Sequence, residues 1–454
     1  MSLLAAHLND AGISILSAEQ VLYREPGFAL LEDDGLATGK EAFANSRIRP
    51  RRIQNSYWAN LTTEPLGDRQ FRHLSAADLA SQQLEQAWRI ASKQGDQLVV
   101  AVPAYMSNNN LGLFLGIAAE LNIPVAGMVD AAVAATRREY QDAALVNVDI
   151  SLHSTILSRM AQGGQASVER TEIIEDSGLL VLYDAWRKVI AEAFVRDSRF
   201  DPLHTAETEQ VLQDRLPEWL SLAATQKSVP IQIEYRGIKH EAEVESLAIE
   251  SAAAPVYQRI ASNLRAIFRA DETPAIQMTD RAARMPGLAD MLVARVGGEA
   301  FLLEPGATAR GLLTRCRDMR AGDSGVSLVR HLPWDQTAVQ VAESPSKTQG
   351  VKPTHILYEN TAYDIGAEAL NIGSQPGDGR WIDLQNDMPG VSRQHCSVQQ
   401  ENGQCVVRDF SRYGSFLNGH VIDGSAVLQI GDSIRIGTPG FELRLITAES
   451  ADGA

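Results

Sequence analysis

Short apolar runs alternate with segments of helical period through the first three hundred or so residues, and after that the helical period disappears. LLAAHL (3–8) and ISIL (13–16) flank the polar stretch Asn9-Asp10-Ala11-Gly12 and predict two strands joined by a turn. VLY (21–23) and FALL (28–31) continue the strand pattern up to a turn at Glu32-Asp33-Asp34-Gly35. Residues 75–94 carry Leu79, Leu84, Trp88 and Ile90 behind Ser75, a residue suited to cap a helix N-terminus, and predict an amphipathic helix. The unbroken apolar run LVVAVPAY (98–105) predicts a buried parallel strand. A helix over 109–121, strand PVAGMV, helix DAAVAATRREY (130–140) and strands AALVNVDI and STILSRM follow. Strands alternating with helices imply an α/β fold.

QTAVQVAESPSKTQGVKP (336–353) is polar, holds two prolines and reads as a linker. Beyond it every apolar run is short: THILY, the region around 371–373, IDL, HCSVQ, CVVRDF, a hairpin over 421–436 and FELRLI. The alternation from His395 to Asp409 has the period of a strand, and Asn402-Gly403 between the two runs is a hairpin signal. A hairpin centred there sets Cys405 opposite Gln400 and Cys396 opposite Asp409, which excludes a disulfide between the two cysteines.

Composition narrows the classes. The chain has 454 residues, 44% hydrophobic and 22% charged, enough for two or three globular domains. Its net charge of −16 argues against nucleic acid or an anionic membrane as a generic partner. No run approaches the roughly 18 apolar residues of a membrane span. The N-terminal stretch lacks a basic region and is broken by Asn9, Asp10 and Gly12, so it does not read as a signal peptide. Cys316, Cys396 and Cys405 form a sparse, odd set that predicts a reducing, cytoplasmic setting, and the absence of CxxC with scattered histidines argues against a zinc site.

The stretch VSRQHCSVQQENGQCVVRDFSRYGSFLNG (391–419) resembles the forkhead-associated (FHA) domain. Its signature is Gly-Arg, then Ser-Arg-x-His, then Asp-x-Ser-x-Asn-Gly-Thr/Ser-Phe-x-Asn-Gly. Ile372-Gly373, Ser392-Arg393-Gln394-His395 and Asp409 to Gly419 stand in that order here. The resemblance implies a β-sandwich that recognises phosphothreonine peptides. It gives Ser392 a phosphate contact, His395 a bracing role, and Gly373, Gly414, Asn418 and Gly419 turn geometry. Two positions depart from the pattern: Ser374 replaces the arginine that grips phosphate, and Tyr413 replaces the asparagine that holds the peptide backbone. Arg380, in the loop after Ser374, and Arg412, beside Tyr413, offer replacement cations, or are solvated loop charges. Residues 354–454 hold six arginines and no lysine against thirteen acidic residues, so the module is not a generic anion binder. The expected binding edge is Ser374, Arg380, Ser392, Arg393, Arg412 and Tyr413, with phosphothreonine-dependent and phosphate-independent docking both open.

VPAY, then LNIPVAGMVDAAVAAT, residues 199–237 and AIQMTDRAARMPGL (275–288) occur in the order found in the actin-like ATPase fold. They resemble in particular the nucleotide-binding domain of DnaK-type heat-shock chaperones. That resemblance implies a two-lobed α/β domain over 1–335, holding ATP and Mg²⁺ between glycine-rich hairpins. Glycine lets backbone N–H groups reach phosphate oxygens. Here the family's Asp-Leu-Gly falls on His7-Leu8-Asn9, with Asp10 a shifted alternative to the lost aspartate. Asp-Ile-Gly-Gly-Gly-Thr falls on Asp149-Ile150-Ser151-Leu152-His153-Ser154, and Gly-Gly-Ala-Ser-Arg on Asp280-Arg281-Ala282-Ala283-Arg284. With the glycines gone, the expectation is a pseudo-ATPase domain without a cofactor, Asp149 being a strand-end turn residue. Residual binding of ATP and Mg through Asp10 and Asp149 is the alternative.

The sequence therefore predicts a multidomain chain: an actin/DnaK-like pseudo-ATPase domain (1–335), a linker (336–353) and an all-β FHA-type sandwich (354–450). The expected role is that of a non-enzymatic cytoplasmic scaffold for protein partners, some of them carrying phosphothreonine. The alternative is an ATP-binding chaperone or actin-like ATPase with divergent motifs.

Overall fold

A computed structural model describes residues 2–33, 35–317, 325–335, 340–341, 353–358, 361–384, 391–401, 404–412, 414–417, 420–422, 424–428, 432–436 and 441–446. Of the predicted linker, only 340–341 and 353 fall within them. The chain forms two compact units, Met1–Ala342 and Glu343–Ala454.

The N-terminal unit is α/β and is built on two sheets. In the first, β1 (Leu3–His7), β2 (Ile13–Leu16) and β3 (Val21–Glu25) are antiparallel, and β4 (Gln97–Val102) and β5 (Val125–Asp130) continue in parallel from the other side of β1. In the second, β6 (Ala144–Ile150), β7 (Ser154–Ala161) and β8 (Gln165–Glu175) are antiparallel, and β9 (Pro274–Met278) and β10 (Glu299–Leu302) run parallel beyond β6. Both sheets thus share the order third-second-first-fourth-fifth. In each, the turn between the first two strands lies at the end where the first parallel strand also ends.

Helix packing follows from local chemistry. α1 (Ala76–Ala91) starts at Ser75, whose hydroxyl accepts from Asp78 N (3.3 Å) while Asp78 accepts from Ser75 N (2.7 Å). Its buried face is Leu79, Ala80, Leu84, Ala87 and Ala91. Ile90, expected on that face, is exposed, because Ala87 and Ala91 already fill the last turn toward the core. α2 (Asn108–Glu120) agrees with the predicted helix. The helix expected over 130–140 spans only Ala131–Ala135. Asp130 caps it, and at Thr136 the chain turns extended while the Thr136 hydroxyl accepts from Gln277 Nε2 (2.9 Å). α3 (Leu179–Ser198), α4 (Ala206–Ala223) and α5 (Ser246–Ile267) cover the second sheet, with Trp186, Phe194, Trp219 and Ile260 in its core.

The C-terminal unit is a β-sandwich. One sheet runs in the order Thr361–Asp364, His355–Tyr358, Phe441–Ile446, Ser433–Ile436, Ser415–Leu417, His420–Val421. The other runs Arg380–Asp383, Leu370–Gly373, Cys396–Glu401, Gln404–Asp409, Ser425–Leu428. Ile356, Ile372, Val398, Val407, Ile434 and Leu443 fill the space between them. The hairpin expected over 421–436 does not form: Ser425–Leu428 pairs with Gln404–Asp409, whereas Ser433–Ile436 pairs with strands of the opposite sheet. Each run has one apolar face, and the sandwich buries both by sending the chain across rather than folding it back. Cys405 does lie opposite Gln400 and Cys396 opposite Asp409, and all three cysteines are buried and free. Among the described residues no helix is long and apolar enough to cross a membrane.

Candidate functional site

Two loop clusters carry the residues that the sequence singled out. The first is one edge of the C-terminal sandwich. A side chain at Gly373 would collide with the Arg393 carbonyl, so glycine there lets two loops run backbone to backbone. Ser374 N donates to Ser392 O (3.2 Å), Gln375 N to Arg393 O (3.2 Å) and His395 N to Ile372 O (2.8 Å). A third loop joins through Arg412 N, which donates to Ser392 Oγ (3.3 Å).

His395 braces this edge from below. It is fully buried, and its Nδ1 accepts from Ser392 N (3.0 Å). Nε2 therefore carries the ring proton and faces the Gly414 carbonyl at 3.4 Å. Burial holds the ring below its ordinary pKa, which keeps this neutral tautomer. Asp409 Oδ1 accepts from Ser411 N (3.3 Å) and Ser415 Oγ (2.8 Å), and Ser411 Oγ accepts from Gly414 N (2.8 Å) at a backbone φ of 84°. Gly414 is thus a true left-handed turn position.

The result is an edge on which Ser374, Arg393 and Arg412 are exposed and Ser392 is half-buried. Arg380 belongs elsewhere. It opens a strand instead of sitting in a loop, and its guanidinium donates to the Asp364 carbonyl and faces the Asp364 carboxylate at 3.5 Å. Tyr413, Asn418 and Gly419 lie outside the described residues. Ser411 and Ser415 stand at the Ser and Thr/Ser positions of the motif, and their hydroxyls tie the loop together. The motif gives no weight to Gln375, because it acts through a backbone N–H that any residue but proline supplies.

The second cluster lies between the two halves of the N-terminal unit, where the β1–β2 turn meets the β6–β7 turn. Asp149 lies one residue before the end of β6 and is buried, and its carboxylate accepts from Thr279 Oγ1 (2.6 Å), Asn9 Nδ2 (2.9 Å) and Ile150 N (3.0 Å). Asn9 Nδ2 also donates to Ile150 O (3.1 Å). Asp10 Oδ1 accepts from Leu152 N (2.8 Å). Tyr105 donates its hydroxyl to Leu8 O (3.2 Å) and accepts from Asp10 N (3.3 Å). Arg281 donates to Ile150 O (3.1 Å) and lies so close over Gly12 that a Cβ there would sit 2.8 Å from its Nη2. Asp280 pairs with Arg284 at 2.9 Å.

The side chains of Asn9, Asp10 and Asp149 in this cluster are buried. Burial pushes the Asp10 carboxyl up to about 6, against the pull of Leu152 N–H, His153 and Arg281. Burial also holds His7 below its ordinary pKa although Asp149 lies 4.0 Å away. His7 Nε2 and Asp10 Oδ2 have no hydrogen-bond partner among the described residues. Among those residues, no group of three His, Cys, Asp or Glu side chains could hold a metal ion.

The C-terminal unit is thus a β-sandwich with one loop-built, non-catalytic edge, the architecture of a binding module. The family model for the FHA domain matches residues 370–437, so this segment is an FHA domain, a module of phosphopeptide-mediated protein–protein interaction. A search of curated proteins finds no match to the chain.

Proposed function

We propose that the chain is a non-enzymatic, cytoplasmic protein-binding scaffold whose FHA edge docks phosphothreonine-containing partners. The observation that carries this reading is the cross-bonding of three loops at Ser374–Gln375, Ser392–Arg393 and Arg412, which brings the Ser374 and Ser392 hydroxyls and the Arg393 guanidinium onto one edge. A phosphate needs such converging donors, above all a cation. With Ser374 where the family has arginine and Arg380 held by Asp364, the cation this reading assigns to that task is the exposed Arg393. Three buried free thiols fit a reducing compartment.

Residues 1–335 are read as an actin-like pseudo-ATPase domain. Support comes from the repetition of one five-strand order in two sheets and from the two strand turns that face one another. The loss of ATP use is supported by the cross-turn bonds from Asn9 to Asp149 and Ile150 and from Leu152 to Asp10, which engage these groups with one another.

The test is fluorescence anisotropy of the full chain with a phosphothreonine peptide library and its unphosphorylated counterpart. Charge-assisted hydrogen bonds predict at least about tenfold tighter binding of the best phosphopeptides. A second reading, phosphate-independent docking by the same edge, is favoured by Ser374 itself. Equal affinity for both peptide sets would establish it.

A further inference from the structure

We infer that the two halves of the N-terminal unit are held shut by the protein's own side chains, in a three-layer seam centred on Leu152 and Gln210. This goes beyond the scaffold proposal and does not depend on any family resemblance in the unit. The floor of the seam is the polar cluster of Asn9, Asp10, Asp149 and Arg281.

Above the floor is an apolar layer. Phe28, Leu30 and Ala42 from the first half and Leu152 from the second form one buried cluster, and Phe43, Ala11 and Leu180 pack against it. Phe28 and Phe43 meet edge to face with ring centroids 5.1 Å apart. Leu152 stands in the β6–β7 turn yet is 2% exposed, an unusual place for a leucine unless another body covers it.

The rim is polar. Gln210, on α4, accepts from Arg47 N (2.8 Å) and Ser46 Oγ (3.4 Å) and donates to Phe43 O (3.1 Å). These partners follow the short helix Lys40–Phe43 of the first half, or end it. The Arg47 guanidinium lies 3.7 Å from both Asp184 and Glu209, and Glu209 also accepts from Arg187 (2.9 Å). His153 Nε2 meets Asn55 O at 3.0 Å.

Opening the halves would break all three layers together. It would wet Leu152 and Phe43 and break the bonds of Gln210 to Phe43, Ser46 and Arg47, of Asp10 to Leu152 and of Asn9 to Asp149 until water replaced them. Each layer is closed by side chains meeting side chains or backbone of the opposite half, so closure needs no ligand.

Hydrogen exchange of the full chain tests this, read at the amides of 28–31 and 151–153, none of which Gln210 touches. In the wild-type protein these amides should exchange slowly, at a rate that Mg-ATP does not change. In Gln210→Ala they should exchange about tenfold faster, the weight of the bonds lost, while amides of β4 and β6 keep their protection. Leu152→Ala should give a larger increase at the same amides. If that variant does not fold, the wild-type protein and Gln210→Ala still decide. Fast wild-type exchange at 28–31 and 151–153, new protection there by Mg-ATP, or unchanged exchange in Gln210→Ala would each overturn the inference.

Discussion

The two loop clusters of this chain use hydrogen bonds in opposite ways. In the C-terminal unit the cross-loop bonds run mainly between backbone groups beneath the edge, and the side chains of Ser374, Arg393 and Arg412 stay exposed. In the N-terminal unit the bonds run from side chain to opposite turn, and Asn9, Asp10, Asp149 and Leu152 are all buried by them. The first arrangement organises a surface and leaves its chemistry available to a partner. The second consumes its chemistry in holding two halves together. The same residue types, carboxylates, amides, hydroxyls and arginines, occur in both, so the difference lies in whether those side chains stand exposed or are buried.

The largest effect that would sharpen this comparison is at Leu152. Truncation to alanine removes the centre of the apolar layer and should cost about 2–5 kcal/mol, read by urea denaturation. A cost near zero would mean that the layer is not packed as described. Next is Gly373→Ala. It drives a methyl group into the Arg393 carbonyl and should cost about 1–3 kcal/mol by displacing the loops, with loss of partner binding as the second readout.

Third is the titration of Asp10. Its folded-state pKa of about 6 lies above its ordinary 3.8, so the folded chain holds this proton more tightly than the unfolded one. The group's destabilising contribution therefore grows as pH rises between those two values and is complete above them. Asp10→Asn keeps an acceptor for Leu152 N–H and should raise stability by on the order of 1 kcal/mol at neutral pH, a gain that disappears in acid below the ordinary value. His7 works in the opposite sense, losing stability as pH falls below its ordinary 6.5. Denaturation curves across that range check the sign.

The smallest expected effect is that of nucleotide. A ligand present at 100 times its Kd would add about 2.7 kcal/mol of stability, and the account predicts no thermal shift with Mg-ATP. A clear shift would show that the N-terminal cluster still opens to a ligand.

How much of this was legible in the sequence follows the range of each interaction. The FHA segment was legible because its motifs are local runs in a fixed order, and the Cys405–Gln400 register followed from the hairpin alone. The alternation of strands and helices was legible from period. What failed was set by neighbours far along the chain. Ile90 was placed on the core face, yet two alanines one turn apart fill that space. The runs within 421–436 look like a hairpin, and only the opposite sheet decides that they separate. Asp149 reads locally as the end of a strand, while its burial depends on Asn9, 140 residues away. Gln210 carries no signal at all, since its partners at Phe43, Ser46 and Arg47 precede it by more than 160 residues. Arg380 looked like a loop cation because its acceptor, Asp364, belongs to no motif.

The central claim, that function resides in the exposed edge and not in the closed cleft, is tested most directly by partner capture from native extract. The wild-type chain, the edge variant Ser392→Ala/Arg393→Ala/Arg412→Ala and the cleft variant Asp10→Asn would be compared side by side, with captured proteins quantified by mass spectrometry. The account predicts that the edge variant loses the partner set and that Asp10→Asn retains it. Retention by the edge variant, with loss in Asp10→Asn, would contradict it.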